Sequence, residues 1–173
     1  NAERYYRDMF RSYVSSWNQR DEQMMELLVS LIAYLQSTCC SAKVVVWAHN
    51  SHVGDARATE MAWHGELNIG QLAREAFADQ CRLVGFTTYT GSVTAASGWR
   101  LPAERKQAPP GLDGSVEKLF HQVGVPNFML DLREPGELRE ELANARLQRA
   151  IGVVYLKESE RQSHYFEACL SGQ

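Results

Sequence analysis

Two histidines three residues apart, His49 and His52, stand just past the apolar run Val44–Trp47 in KVVVWAHNSHVGD. Imidazole exchanges protons near neutral pH and is a common metal ligand. A buried strand that stops and at once presents imidazoles is one way α/β proteins build a site at the carboxyl edge of a sheet. The pair therefore reads as a general base, an oxyanion stabiliser or a substrate-orienting pair. The competing reading is two histidines hydrogen-bonded to loop backbone. Asn50 lies between them, and Asp55, Glu60 and His64 follow in the same loop. Each carboxylate can orient an imidazole or be solvated, and His64 reads as structural or surface.

Further candidates lie on either side of this loop. Arg20 precedes Asp21, which can cap a helix. A fixed guanidinium there can clamp a carboxylate or a carbonyl oxygen, or pair on the surface with Asp21 or Glu22. Arg74, in NIGQLARE, carries the same two readings. In GSVEKLFH, Ser115 reads as an N-cap, and Glu117 as a site carboxylate or an ordinary helix-start acid. His121 reads as structural. His164, in RQSHYF, follows the last strand-like run and can reach the same sheet edge. The chain contains no Gly-x-Ser-x-Gly elbow, no phosphate loop, no dinucleotide fingerprint and no zinc signature.

The elements that must position these residues alternate. Tyr5, Tyr6, Met9, Phe10, Tyr13 and Val14 recur at helical spacing over 1–18. A second helix is predicted from Asp21, with Met24, Met25, Leu27, Leu28, Leu31, Ile32 and Leu35 on a wide apolar face. Residues 43–48 read as a strand buried on both faces. Asn68 caps a helix from about Ile69 to Ala78, and 81–96 reads as one or two strands. A Pro/Gly-rich loop covers 97–114. After it come a helix from Ser115 to Val123, a strand at Asn127–Leu132, a helix at Glu137–Leu147 and a strand at Ala150–Leu156. The tail SHYFEACL is ambiguous. The alternation predicts an α/β fold, a mostly parallel sheet flanked by helices.

A length of 173 residues suits one domain or a large part of one, and 45% hydrophobic residues can form a core. The net charge of -3 gives no field that would recruit nucleic acid or an anionic membrane. No stretch approaches the ~20 apolar residues of a membrane span. Cys39 and Cys40 are adjacent, Cys81 and Cys169 are isolated, and no Cys-x-x-Cys occurs. A reduced, cytoplasmic setting is the simplest reading. The ends at Asn1 and Gln173 both read as cut, so the chain is expected to be part of a longer protein.

The runs KVVVWAHNSHVGDARA, LNIGQLARE, LVGFTTYTGSVTAASGW, GSVEKLFH and RAIGVVYLKESERQSHYF, together with the upstream RDEQMMELL, closely resemble the erythromycin esterase family. They fall in the family's order and span nearly the whole chain. The resemblance implies an α/β fold with helical insertions around a cleft. It implies hydrolysis of an ester or lactone, of macrolide type in the best-known members, and hence macrolide resistance. The family's mechanism implies water activated by a histidine and supported by glutamates.

Carried onto this chain, the resemblance makes His49 and His52 the lining of the cleft and Arg20 an arginine facing it. Ser115, Glu117 and His164 match recurrent family positions. The resulting catalytic candidates are His49, His52 and Glu117. The substrate-binding candidates are Arg20, Asn50, Arg74, Ser115 and His164. No cofactor is implied, although a divalent metal at the His49/His52 pair is a further reading. The partner is a small ester or lactone, with no nucleic acid and no membrane.

Family members are much longer, and their proposed base histidine and its glutamates lie in the N-terminal half. Residues 1–40 contain no histidine. Residues 1–173 are therefore expected to be the C-terminal portion of an erythromycin-esterase-like domain, part of a larger two-half fold and inactive alone. Its exposed sheet edges would be prone to association. The alternative is a non-catalytic binding or regulatory module of the same fold.

Overall fold

The computed structural model describes residues 13–39 and 41–173. The chain divides into two units, residues up to Gly85 and Phe86–Gln173.

The first unit is built on one long helix, α1 (Tyr13–Thr38). Two helices are expected here, the second starting at Asp21, but α1 runs through that position. Asp21 does not cap α1. Its carboxylate instead accepts hydrogen bonds from His52 and from the backbone N–H of Ile69. The apolar positions Tyr5, Tyr6, Met9 and Phe10, and Cys40, lie outside the described residues. A short helix α2 (Asn50–Val53) follows, then helical turns at Ala56–Ala58 and Glu60–His64, and α3 (Ile69–Phe77). The core of the unit is Met25 of α1 with Ile69 and Ala73 of α3, flanked by Met24, Leu28, Val53, Leu72, Phe77 and Cys81. Leu27, Leu31 and Tyr34 of α1 stay exposed, so the wide apolar face predicted for this helix is only partly used.

Three residues of α1 hold the loop before α3. The Trp17 indole N–H donates to Leu67 O at 2.7 Å. Asn18 donates to Gly65 O and accepts from Leu67 N–H, both at 2.9 Å. Asp21 takes the Ile69 N–H at 3.1 Å. Asn68 caps α3 as expected, accepting from Gln71 N–H, and its amide also donates to Ser51 O at 2.9 Å. The histidine loop is thus tied to both helices.

Gly70 makes the closest approach possible, because a Cβ there would press on Gly54 O and lie 2.5 Å from Val53 O. Gly70→Ala is expected to cost about 1–3 kcal/mol by overpacking. Thermal unfolding of the variant, compared with wild type, measures it.

In the second unit, β1 (Gly91–Ala96) and β2 (Ala103–Ala108) form an antiparallel hairpin from Gly91↔Ala108 to Ala96↔Ala103. Helix α4 (Val116–Gln122) is followed by α5 (Glu137–Glu141) and β3 (Arg146–Arg149). After α6 (Glu160–Ser163), β4 (Tyr165–Ala168) pairs antiparallel with β3, from Arg146↔Ala168 to Arg149↔Tyr165. Val116, Leu142, Tyr155 and Ala168 are among its buried residues.

The expected mostly parallel sheet flanked by helices is therefore not what forms. The protein is helix-rich, with two small antiparallel two-stranded sheets among the described residues. Parallel pairing is limited there to isolated bridges, Ala96↔Val154 and Ser115↔Leu147. Residues 43–48 and 127–132 join no ladder, and Val45 and Trp47 are 86% and 83% exposed. β-branched residues favour an extended backbone, but a strand exists only where a partner meets its N–H and C=O groups. The predicted helix at 137–147 is cut short at Glu141, and its last residues enter β3. β2, read as loop, is polar (AERKQA) and is held by its register with β1. Among the described residues no helix is long and apolar enough to cross a membrane.

Candidate functional site

The first unit gathers one cluster of candidates. His52, in the last turn of α2, directs Nδ1 at Asp21, 2.9 Å from Oδ1 and 3.2 Å from Oδ2. The Asp21 side chain has no solvent exposure, whereas that of His52 is 20% exposed. The imidazole stacks on Trp17, with centroids 4.5 Å apart and planes 10° from parallel. Arg20 places its guanidinium carbon 4.8 Å from the Trp17 ring centroid. One turn and a half of α1 thus supplies an arginine, an aromatic platform and a buried carboxylate around one histidine.

His49 is used differently. It is the N-cap of α2, and its Nδ1 accepts from Ser51 N–H at 3.2 Å and lies 2.9 Å from Ser51 Oγ. In the neutral ring the hydrogen is therefore on Nε2. Asn50 opens α2 and is half-buried. Because each Nδ1 is engaged, either histidine could ligate a metal only through Nε2. Among the described residues no group of three or more His, Cys, Asp or Glu is placed to hold a metal ion.

Arg74 belongs to a second cluster. Asp55 accepts from Arg57 Nε at 2.9 Å, Arg57 Nη2 at 2.7 Å and Arg74 Nη1 at 3.1 Å. Burial by itself pushes the Asp55 carboxyl up, but the Arg57 hydrogen bonds and the charges of Arg57 and Arg74 hold it below its ordinary value. Asp55 clamps these two arginines.

The second unit holds the remaining candidates. Ser115 caps α4, accepting from Lys118 N–H at 3.2 Å. Glu117 is 1% exposed. Its Oε1 accepts from Thr87 Oγ1 at 2.5 Å and Arg149 N–H at 3.1 Å, while Oε2 has no hydrogen-bond partner among the described residues. A buried carboxylate oxygen left unpaired is costly. Gly111 packs beneath it, since a Cβ there would lie 2.7 Å from Glu117 Cβ.

Arg149, Glu160 and Tyr155 form a buried network that sequence reasoning missed. Arg149 Nε is 3.1 Å from Glu160 Oε1, close enough for an ion pair but off the line for a hydrogen bond. Tyr155 donates to Glu160 at 2.6 Å, and burial, with Glu160 beside it, drives its phenol far up.

His164 is buried, and its Nε2 accepts from Leu156 N–H at 2.9 Å. Burial lowers its basicity, partly offset by the Ala150 hydrogen bond and the Glu160 charge. The unfolded chain then binds the proton more readily than the folded one. His164 stabilises the fold fully above its ordinary 6.5, and this is lost as pH falls through the lower folded value. His164→Gln is expected to flatten the fall of unfolding free energy across that window in denaturant titrations.

An erythromycin esterase family model matches residues 1–173. The chain belongs to the erythromycin esterase family. It is 29% identical over 125 residues to an erythromycin esterase type II of Escherichia coli, a match covering 66% of this chain and 29% of that protein. The chain thus aligns with under a third of that relative's length. No solved structure matches it.

Within this family member, the structure brings Arg20, Asp21 and His52 together around Trp17. It separates Arg74 into the Asp55 clamp and seats Ser115, Glu117 and His164 in the other unit. Asp21 and Trp17 were not read as site residues. The signal available for Asp21 was its place beside Arg20 in RDEQM. Nothing local signalled Trp17.

Proposed function

We propose that this chain supplies one wall of an active site that hydrolyses an ester or lactone, of macrolide type or a related small substrate. In this reading a base beyond these 173 residues takes a proton from the attacking water, and the resulting hydroxide adds to the ester carbonyl. His49, His52 and Arg20 bind the ester carbonyl and stabilise the charge that develops on its oxygen. Other groups come from the whole protein beyond these 173 residues.

The single observation that carries the reading is His52, tied at Nδ1 to a fully buried carboxylate, with its own side chain 20% exposed and Arg20 over the Trp17 ring beside it. A fixed imidazole next to a guanidinium is suited to binding and polarising an ester carbonyl. Family membership supports ester hydrolysis as the reaction class.

Incubation of the whole protein with macrolide lactones and simple aryl esters, followed by mass spectrometry, tests the proposal. The expected products are the ring-opened acid, heavier than the lactone by one water, and the free acid with its phenol from each aryl ester, formed at a rate proportional to protein. Saturable binding without turnover across such a panel would replace the hydrolase with a binding module.

A further inference from the structure

We propose that the second unit carries a binding site for a small oxyanion, a carboxylate or phosphate group, in the cavity just past the end of β1. The inference stands apart from the hydrolase reading, and its test needs no turnover.

The backbone makes the cavity. Ala96, the last residue of β1, bridges Val154 in parallel. Its N–H donates to Val153 O at 2.8 Å, and its carbonyl accepts from Tyr155 N–H at 3.0 Å. Past this bridge the two runs continue as Ser97 and as Tyr155 to Glu158, and a cavity of about 460 Å³ opens beside them. The carboxyl end of parallel runs is a common place for a binding crevice. The volume lies in the range of small-molecule sites. The lining includes Ser97, Lys106, Gln107, Tyr155, Lys157 and Glu158.

The side chains set the sign of the ligand. Lys106, on β2, donates to Ser97 Oγ at 2.7 Å and to Tyr155 O at 2.9 Å. An ammonium has three N–H donors and no acceptor, so one N–H is left over. Ser97 Oγ must be the acceptor in that pair, so its own hydrogen is left to donate elsewhere. The anchor is firm, because Tyr155 is buried and its hydroxyl is tied to Glu160 at 2.6 Å. Lys157 and the Gln107 amide add further donors to the lining. Two lysines against the one carboxylate of Glu158 leave the cavity net positive. Convergent N–H and O–H donors under a positive charge suit an oxyanion, which only accepts hydrogen bonds.

Isothermal titration calorimetry of the whole protein reads the binding, with sodium phosphate in one arm and sodium acetate in the other. At least one of the two is expected to bind saturably, with a Kd of about 1 mM or tighter. Phosphate binding without acetate binding assigns a phosphate ligand, and the reverse assigns a carboxylate.

Lys106→Met, which keeps the length of the side chain and removes the ammonium, is expected to weaken binding about tenfold or more. Ser97→Ala is expected to weaken it about threefold. Lys157 and Glu158 are exposed, so changes there leave the fold intact. Lys157→Gln is expected to weaken binding about threefold, and Glu158→Gln to tighten it by a similar factor. These opposite shifts decide the matter even if Lys106→Met fails to fold. Absence of saturable binding in both arms overturns the proposal. Binding that Lys106→Met and Lys157→Gln both leave unchanged also overturns it, as an adventitious ion only.

Discussion

His52→Gln is expected to lower ester hydrolysis by the whole protein about 10²–10³-fold, the loss that follows removal of one group stabilising the developing oxyanion. Glutamine is the informative replacement. Its amide N–H can still reach Asp21, so the buried carboxylate keeps a donor, which avoids the cost of stranding it. What glutamine lacks is the imidazole ring held in plane against Trp17. The loss should therefore fall on kcat, with KM nearly constant and the unfolding midpoint close to that of wild type. Steady-state kinetics and a denaturant titration on the same preparation separate the two effects. A variant that retains wild-type kcat would remove His52 from the chemistry.

His49→Ala is the companion measurement. A strong loss of hydrolysis assigns His49 to the site, and unchanged kinetics confines it to capping α2 through Ser51.

The family was more legible in the sequence than the fold. His49 and His52 stand out because imidazoles close to an apolar run are readable within a dozen residues. The family resemblance rests on short ordered motifs of the same kind. The contact that gives His52 its character is not local, since Asp21 and Trp17 lie 31 and 35 residues upstream. Their use could be read only after α1 was folded against the loop before α3. The mostly parallel sheet failed for a related reason. KVVVW has the composition of a buried strand, yet Val45 and Trp47 are exposed and the run joins no ladder among the described residues. Composition sets a preference for extended backbone, while pairing depends on what lies alongside. The reverse error is β2, whose polar AERKQA has no strand pattern and is held in a ladder by β1. Caps were legible where one side chain meets its own helix, as at Asn68 and Ser115. Asp21 misled because its carboxylate serves another helix.

Arg149→Leu is expected to destabilise the second unit by about 3–5 kcal/mol, the cost of removing one partner from a buried ion pair. The Arg149 and Glu160 side chains are only 3% and 7% exposed, so water cannot replace the missing guanidinium readily. The loss is wider than one pair. Arg149 also donates to Tyr89 O at 3.2 Å and to Pro109 O at 2.9 Å, and it lies over the Tyr165 ring at 5.3 Å. Those carbonyls belong to the segments on either side of the β1–β2 hairpin, so one side chain of β3 ties that hairpin to the β3–β4 pair. Among the described residues, Glu160 would keep the Tyr155 hydroxyl as its donor. Arg149→Leu combined with Glu160→Leu should therefore lose less than the two single changes added together, because the double variant buries no unpaired charge. A denaturant-based double-mutant cycle measures this coupling, and additive losses would show that the pair is not the source of the cost. The Arg149 backbone N–H, which donates to Glu117, survives the substitution. The hold on Glu117 should therefore persist for as long as β3 remains paired with β4. Measured below the onset of unfolding, hydrolysis by the whole protein should then fall far less than it does in His52→Gln.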